Sequence, residues 1–271
     1  MRRTTSQRGF TLVELIIVIV IMGVVGGMVA VFMKGPIDAY FATGRRAALT
    51  DVADTALRRM ARDIRKALPN SVRVPTTTPA NQCLEFIPTK TGGRYRSVVD
   101  SAGNGDILDF SLADTSFDML GANSALADQT IGAGDVIAIY NLGPGINDAY
   151  AADNTATVSG VSAGNPATIT LLAGKKFPQA SGSSRFHVIP KAENVVAFVC
   201  SGGKLYRTAS TSFTSACPAT GAILASNLGF CSFVYNGSDL QRNGLVQLSL
   251  QLTDSGESVN LYHEVHVDNT P

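Results

Sequence analysis

The sequence predicts an α+β fold: a long N-terminal helix, membrane-spanning in its first half, packed on an antiparallel β-rich globular domain. Three observations predict it. One unbroken apolar run lies near the N-terminus, an apolar stripe at three- and four-residue steps follows it, and beyond residue 70 short apolar or alternating runs are separated by Gly, Pro, Asn and Ser. Composition narrows the function classes. With 271 residues, 45% hydrophobic and 16% charged, and a formal net charge of +1, the chain lacks the basic excess of a nucleic-acid binder and the polarity of a disordered one. Four cysteines are too few for a small disulfide scaffold, and a single long apolar run excludes a polytopic transporter.

The first segment, residues 1–9, carries Arg2, Arg3 and Arg8, and no acidic residue precedes Glu14. From Phe10 to Met33 the chain reads FTLVELIIVIVIMGVVGGMVAVFM, with one ionisable side chain in 24 residues. As a helix this run is about 36 Å long at about 1.5 Å per residue, enough to cross a hydrocarbon core of about 30 Å. Basic residues before it, against Lys34 after it, favour an N-in orientation, with residues 70–271 on the far side of the membrane. A cleaved secretory signal needs a shorter apolar stretch and a small-x-small site, so the run reads as retained.

Glu14 makes a plain anchor an incomplete reading. A carboxylate in hydrocarbon costs about 2.5–3.5 kcal/mol on insertion scales and calls for a partner, and the apolar segment itself offers none. Cleavage between Gly9 and Phe10 would create an α-amine on a second copy. With a reference pKa of about 7.7–8.0, that amine is a cation able to neutralise the acid.

The run Arg8-Gly9-Phe10-Thr11-Leu12-Val13-Glu14-Leu15 resembles the class III signal of type IV prepilins and type II secretion pseudopilins. The resemblance implies that a prepilin peptidase cuts after Gly9 and N-methylates Phe10, and that Glu14 pairs with the Phe10 amine of a neighbour during assembly. Loss of residues 1–9 removes three of 22 basic residues, leaving 19 against 21 acidic ones.

Residues 34–69 predict an amphipathic helix. Leu49, Val52, Ala53, Ala56, Leu57, Met60, Ala61, Ile64 and Leu68 form its stripe, and Asp54–Arg58 and Arg59–Asp63 are i,i+4 ion pairs. Pro69 ends it, and Gly35-Pro36 kinks or interrupts the helix between membrane and stripe. Residues 34–66 hold eight Lys/Arg against four Asp/Glu, a solvated face or a contact with a neighbouring subunit. From Ser97 to Gly174 there are nine Asp and no Lys, Arg or Glu, a candidate counterpart for that basic face.

Beyond it, Thr76-Thr77-Thr78 between Pro75 and Pro79 reads as a linker. Strands are predicted at Cys83–Ile87, Ile107–Leu112, Asp135–Tyr140, Thr168–Leu172, Phe186–Ile189, Asn194–Cys200, Lys204–Thr208, Phe230–Tyr235, Leu245–Leu252 and Asn260–Val267. Asp254-Ser255-Gly256-Glu257 offers a hairpin turn, and 141–166 reads as a long surface loop. Without strand–helix–strand alternation, an antiparallel arrangement is favoured.

Cys83, Cys200, Cys217 and Cys231 all follow the membrane run, on the oxidising side, and predict one or two disulfides among three possible connectivities. No C-x₂₋₄-C pair supports zinc. Catalytic patterns fail on context: Gly160-Val161-Ser162-Ala163-Gly164 is followed by a β-like run instead of a helix, His263 and His266 fall on opposite strand faces, and His187 has no triad motif beside it. Asp100–Asp109 has loosely spaced oxygen ligands that depart from the EF-hand pattern, so a solvated turn is favoured over calcium. No metal, cofactor or catalytic residue is assigned, and no nucleic acid is expected.

Arg45-Arg46-Ala47-Ala48-Leu49, Ala67-Leu68-Pro69-Asn70-Ser71-Val72-Arg73-Val74 and His263–Asn269 are similar to MshO-type minor pilins of mannose-sensitive haemagglutinin-like pili. That resemblance implies a non-enzymatic subunit that takes part in pilus initiation, with other pilins and the assembly platform as partners. A J-type pseudopilin of type II secretion and a tip adhesin are the alternatives.

Overall fold

The computed structural model describes residues 9–78, 81–214, 217–237 and 243–271. The chain divides into two units at Ala48/Leu49. Helix α1 (Leu12–Ile64) supplies the described structure of the first unit from Leu12 onward and opens the second. A kink or an interruption is expected at Gly35-Pro36, and the helix runs through that pair without interruption. Proline removes one backbone donor and crowds the preceding turn, yet extending an already nucleated helix beyond it is far cheaper than starting a new one.

In the second unit the stripe forms as its spacing dictates. Leu49, Ala53, Ala56, Leu57, Met60, Ala61 and Ile64 are buried, whereas Val52 is 42% exposed because it falls at the stripe's margin. The helix ends at Ile64, short of the expected Pro69. Strand-like pairing takes over there: the Leu68 N–H donates to Ile87 C=O at 2.8 Å, the Thr89 N–H donates to Lys66 C=O at 2.8 Å, and Ala67 bridges Pro88.

Three antiparallel sheets follow. The five-stranded sheet has the order β1-β2-β9-β10-β11, from β1 (Arg73–Thr78), β2 (Asn81–Phe86), β9 (Val195–Ser201), β10 (Lys204–Ser210) and β11 (Ala222–Ser226). The six-stranded sheet has the order β3-β8-β5-β6-β7-β4, from β3 (Thr91–Arg94), β4 (Asp114–Met119), β5 (Val136–Ala138), β6 (Thr155–Val161), β7 (Ala167–Lys175) and β8 (Arg185–Ile189). The third is β12 (Leu228–Asn236), β13 (Asn243–Asp254) and β14 (Glu257–Asp268) in sequence order.

Alternation explains the layers. On β9, Val196, Phe198 and Cys200 join the helix stripe in one core, while Val195, Ala197 and Val199 face the six-stranded sheet through Val136, Ala138 and Ile189. A strand buried on both faces reads as a continuous apolar run, which is how 194–200 appears in the sequence. Val246, Leu248, Leu250 and Leu252 of β13 close the helix core from the other side. The turn from β13 to β14 has positive φ at Ser255 (49°) and Gly256 (82°), the backbone a two-residue hairpin needs.

Three local expectations are corrected. Thr76–Thr78 is strand, not linker: it pairs with Asn81–Cys83 at the sheet edge, and the register shift between Arg73 and Thr76 accommodates Pro75. Pro79 lies outside the described residues. Residues 107–112 are irregular and the strand is β4, because the Asp114 and Asp109 carboxylates accept the Asp109 and Ser111 N–H groups and bend the chain. Residues 141–166 are not a surface loop throughout. They contain a 3₁₀ turn (Ala149–Ala151) and β6, and Asn141, Asn147, Ala149 and Asn154 are buried. Asparagine side chains replace a ladder there: Asn154 Nδ2 donates to the Ile139 and Asn147 carbonyls at 3.0 Å, and Asn141 Oδ1 accepts the Ala149 N–H at 2.9 Å.

Candidate assembly site at the N-terminus

The chain enters α1 through Gly9, Phe10 and Thr11, with Thr11 at the N-cap and Glu14 three residues on. The Thr11 N–H and hydroxyl each donate to Glu14 Oε2 at 3.2 Å, and the Glu14 N–H donates to Thr11 Oγ1 at 3.3 Å. This reciprocal pattern is a capping box: a Thr side chain takes one orphan helix donor while the carboxylate takes another. It corrects the expectation that Glu14 has no partner in its own segment. Its sequence signal is Thr11-x-x-Glu14 at the start of the apolar run.

Around this cap every residue from Gly9 to Met33 is exposed, and Phe10 is 88% exposed. Apolar side chains on all faces of a helix cannot be stable against water, so this surface requires lipid or other apolar helices. Among the described residues, no atom other than those of its chain neighbours lies within 4 Å of where a Gly9 side chain would begin. Arg2, Arg3 and Arg8 lie outside the described residues.

A family described as Prokaryotic N-terminal methylation motif matches residues 4–30. This N-terminal motif supports a type IV pilin-like protein. The methylation motif covers Gly9, Phe10, the capping box and most of the apolar run, and it implies processing by a prepilin peptidase and assembly with other pilins. An apolar helix so placed fits a single-pass inner-membrane anchor. No curated protein and no solved structure matches the chain.

Away from the methylation motif, both cysteine pairs are disulfides: Cys83–Cys217 and Cys200–Cys231. The first ties β2 to the segment between β10 and β11, and the second joins the five-stranded sheet to β12 of the three-stranded one. Cys83, Glu85 and Cys217 group their ligand atoms within 4.8 Å, but the two sulfurs are bonded to each other and are not thiolates for a metal.

The basic helix face is partly spent within the chain. Arg58 Nε pairs with Asp54 at 2.6 Å as its spacing predicts. Asp63 instead meets Arg207 of β10, whose Nε lies 2.8 Å away while its two terminal nitrogens donate to Glu193 at 2.8 Å each. The Arg207 hydrogen bonds hold the Glu193 carboxyl below its ordinary range. Arg58, Arg62, Arg65 and His263 line a shallow groove of about 380 Å³. The acidic stretch is likewise drawn inward, with Asp118 on Arg96 at 3.1 Å and Asp135 on Lys90 at 2.5 Å. Asp100 Oδ1 accepts the Ala102 and Asn104 N–H groups, and Asp109 Oδ1 accepts from Ser111, so these carboxylates serve turns of their own loop. Gly160 lies in β6, and residues 162–166 connect it to β7, a hairpin with no helix behind Ser162. His263 and His266 sit on opposite faces of β14, and His187 is on β8.

Proposed function

We propose that this protein is a minor pilin of a type IV pilus of the mannose-sensitive haemagglutinin-like kind, taking part in filament initiation. Prepilin peptidase cleaves after Gly9 and methylates Phe10. The chain stands in the inner membrane with its N-terminus inside and its β-rich domain in the periplasm until the assembly platform extracts it. In the filament Glu14 pairs with the Phe10 amine of an adjacent subunit.

The observation that supports this reading is a capped acid, Glu14, inside the apolar run 10–33, all of which is exposed, four residues after the Gly9-Phe10 bond. Two hydrogen bonds from Thr11 satisfy the carboxylate's acceptors in part but leave its charge unneutralised, and an amine of a neighbour supplies the missing cation. The 262 residues left after cleavage carry a domain of three sheets, and the similarity of 45–49, 67–74 and 263–269 to MshO-type subunits points to the minor class.

Replacing Glu14 with Leu tests it. The variant is cleaved and inserted normally but is recovered from sheared filaments at a small fraction of the wild-type amount. Wild-type recovery refutes the pairing role. Deleting the gene abolishes piliation; piliated, non-adherent cells would instead mark a tip adhesin, and a secretion defect with normal pili a pseudopilin.

A further inference from the structure

We propose that the β3–β8 edge of the six-stranded sheet is a binding site for a single oxoanion, a carboxylate or a sulfate, held between Arg94 and Arg185. The antiparallel register sets Arg94 opposite Arg185 and Gly92 opposite His187. Two-residue spacing places these four on one face of the sheet, while Phe186 and Val188 turn the other way into the core, where they are 1% and 0% exposed. Gly92 contributes no side chain beside His187. A Cβ there would come within 2.8 Å of the Phe186 carbonyl oxygen, so the position stays bare. With Leu120, whose N–H donates to the Arg94 carbonyl at 2.8 Å, these residues enclose an open cavity of about 410 Å³.

Two features of this face lack a counterpart. Like charges directly opposite each other on paired strands are destabilising, and among the described residues neither Arg94 nor Arg185 has a carboxylate partner. Arg73, Arg96 and Arg207 in the same domain each have one. The second feature is His187, whose buried Nε2 has no hydrogen-bond partner among the described residues. Burial first, and then Arg185, hold its imidazole below the ordinary histidine value against the opposing pull of Asp268. An unsatisfied buried polar atom is itself costly. One oxoanion answers the first feature, and it binds beside the His187 ring: guanidinium forks match planar carboxylate or sulfate oxygens with paired N–H bonds, and the negative charge relieves the facing cations. The cavity has room for a sugar-sized group behind the anion, against the exposed Leu120 side chain. The inference is independent of the pilin reading, since it involves no residue of the N-terminal helix.

The full chain in nanodiscs of uncharged lipid, labelled with ¹⁵N at its three histidines, tests the site. Sodium sulfate and sodium galacturonate are titrated separately against chloride at constant ionic strength. The expected result is a saturable shift of the His187 imidazole with a Kd of about 1 mM or tighter for at least one of them, with His263 and His266 unmoved. Tighter binding of galacturonate identifies an acidic sugar, and equal or tighter binding of sulfate identifies the oxoanion alone. The Arg94→Gln/Arg185→Gln double variant binds at least tenfold more weakly, and Arg185→Gln alone lies between. Absence of a saturable shift with both probes in the wild type overturns the proposal, as does unchanged affinity in a double variant whose His263 and His266 signals show it folded.

Discussion

Thr11 and Glu14 cap each other at the first turn of α1, with the Thr11 N–H and hydroxyl both on Glu14 Oε2 and the Glu14 N–H on Thr11 Oγ1. The acid that the assembly reading needs is thus already oriented by its own chain before any neighbour arrives. Replacing Thr11 with Val removes the hydroxyl while keeping the shape. A lost Thr cap costs about 1 kcal/mol, so amide hydrogen exchange at residues 12–15 of the micelle-bound chain should speed up about fivefold. Exchange at Leu49–Ile64 should not change.

The Arg207 cluster ties helix to sheet in the β-rich unit. Arg207→Met leaves Asp63 and Glu193 without their shared cation. Because the groups are only partly shielded, the loss is expected at about 1–3 kcal/mol, read as a lower midpoint of denaturant unfolding for the globular domain. Arg58→Met, which breaks only the exposed Asp54 pair, should leave that midpoint unchanged.

Much of this architecture is legible in the sequence because its signals are local. The 3.6-residue stripe from Leu49 to Ile64, the alternation of Leu245–Leu252 and the Ser255-Gly256 turn are each written in consecutive residues. What stays hidden depends on distant partners. Nothing near Asp63 in the chain announces Arg207, so Arg59 looks like its mate. Asn141 and Asn154 look like loop residues because their burial depends on each other and on Pro69, 72 residues before Asn141. At the assembly site, Gly9, Phe10 and Glu14 stand out by residue type, whereas Thr11 shows its role only through hydrogen-bond geometry.

Acid should destabilise the β-rich unit in stages. Burial and Arg185 hold His187 below 6.5, so its unfolded form binds the proton first and stability declines as pH falls below about 6.5. Glu193, held down by Arg207, and Asp118 follow. Burial pushes Asp118 up, but the Asp106 N–H, Thr168 hydroxyl and Arg96 bring it below 3.8. Both carboxylates stabilise the fold fully above their ordinary values of 4.5 and 3.8, and that contribution is lost as pH falls through their depressed ones. Thermal melts from pH 7.5 to 3 should show a shallow and then a steeper fall in Tm, and His187→Gln should flatten only the shallow part.

The Cys200–Cys231 bond closes a loop of 31 residues between two sheets. Removing it through Cys200→Ser/Cys231→Ser should cost about 3–4 kcal/mol on the chain-entropy estimate. The check is denaturant unfolding under oxidising conditions, in which Cys83–Cys217 is retained.

The proposed assembly makes Phe10 the amino end of the filament-borne protein and sets it against Glu14 of another copy. Intact-mass and N-terminal sequence analysis of the protein recovered from sheared filaments tests it most directly. The expected result is a chain starting at N-methylated Phe10; a filament-borne chain still starting at Met1 would overturn the proposal.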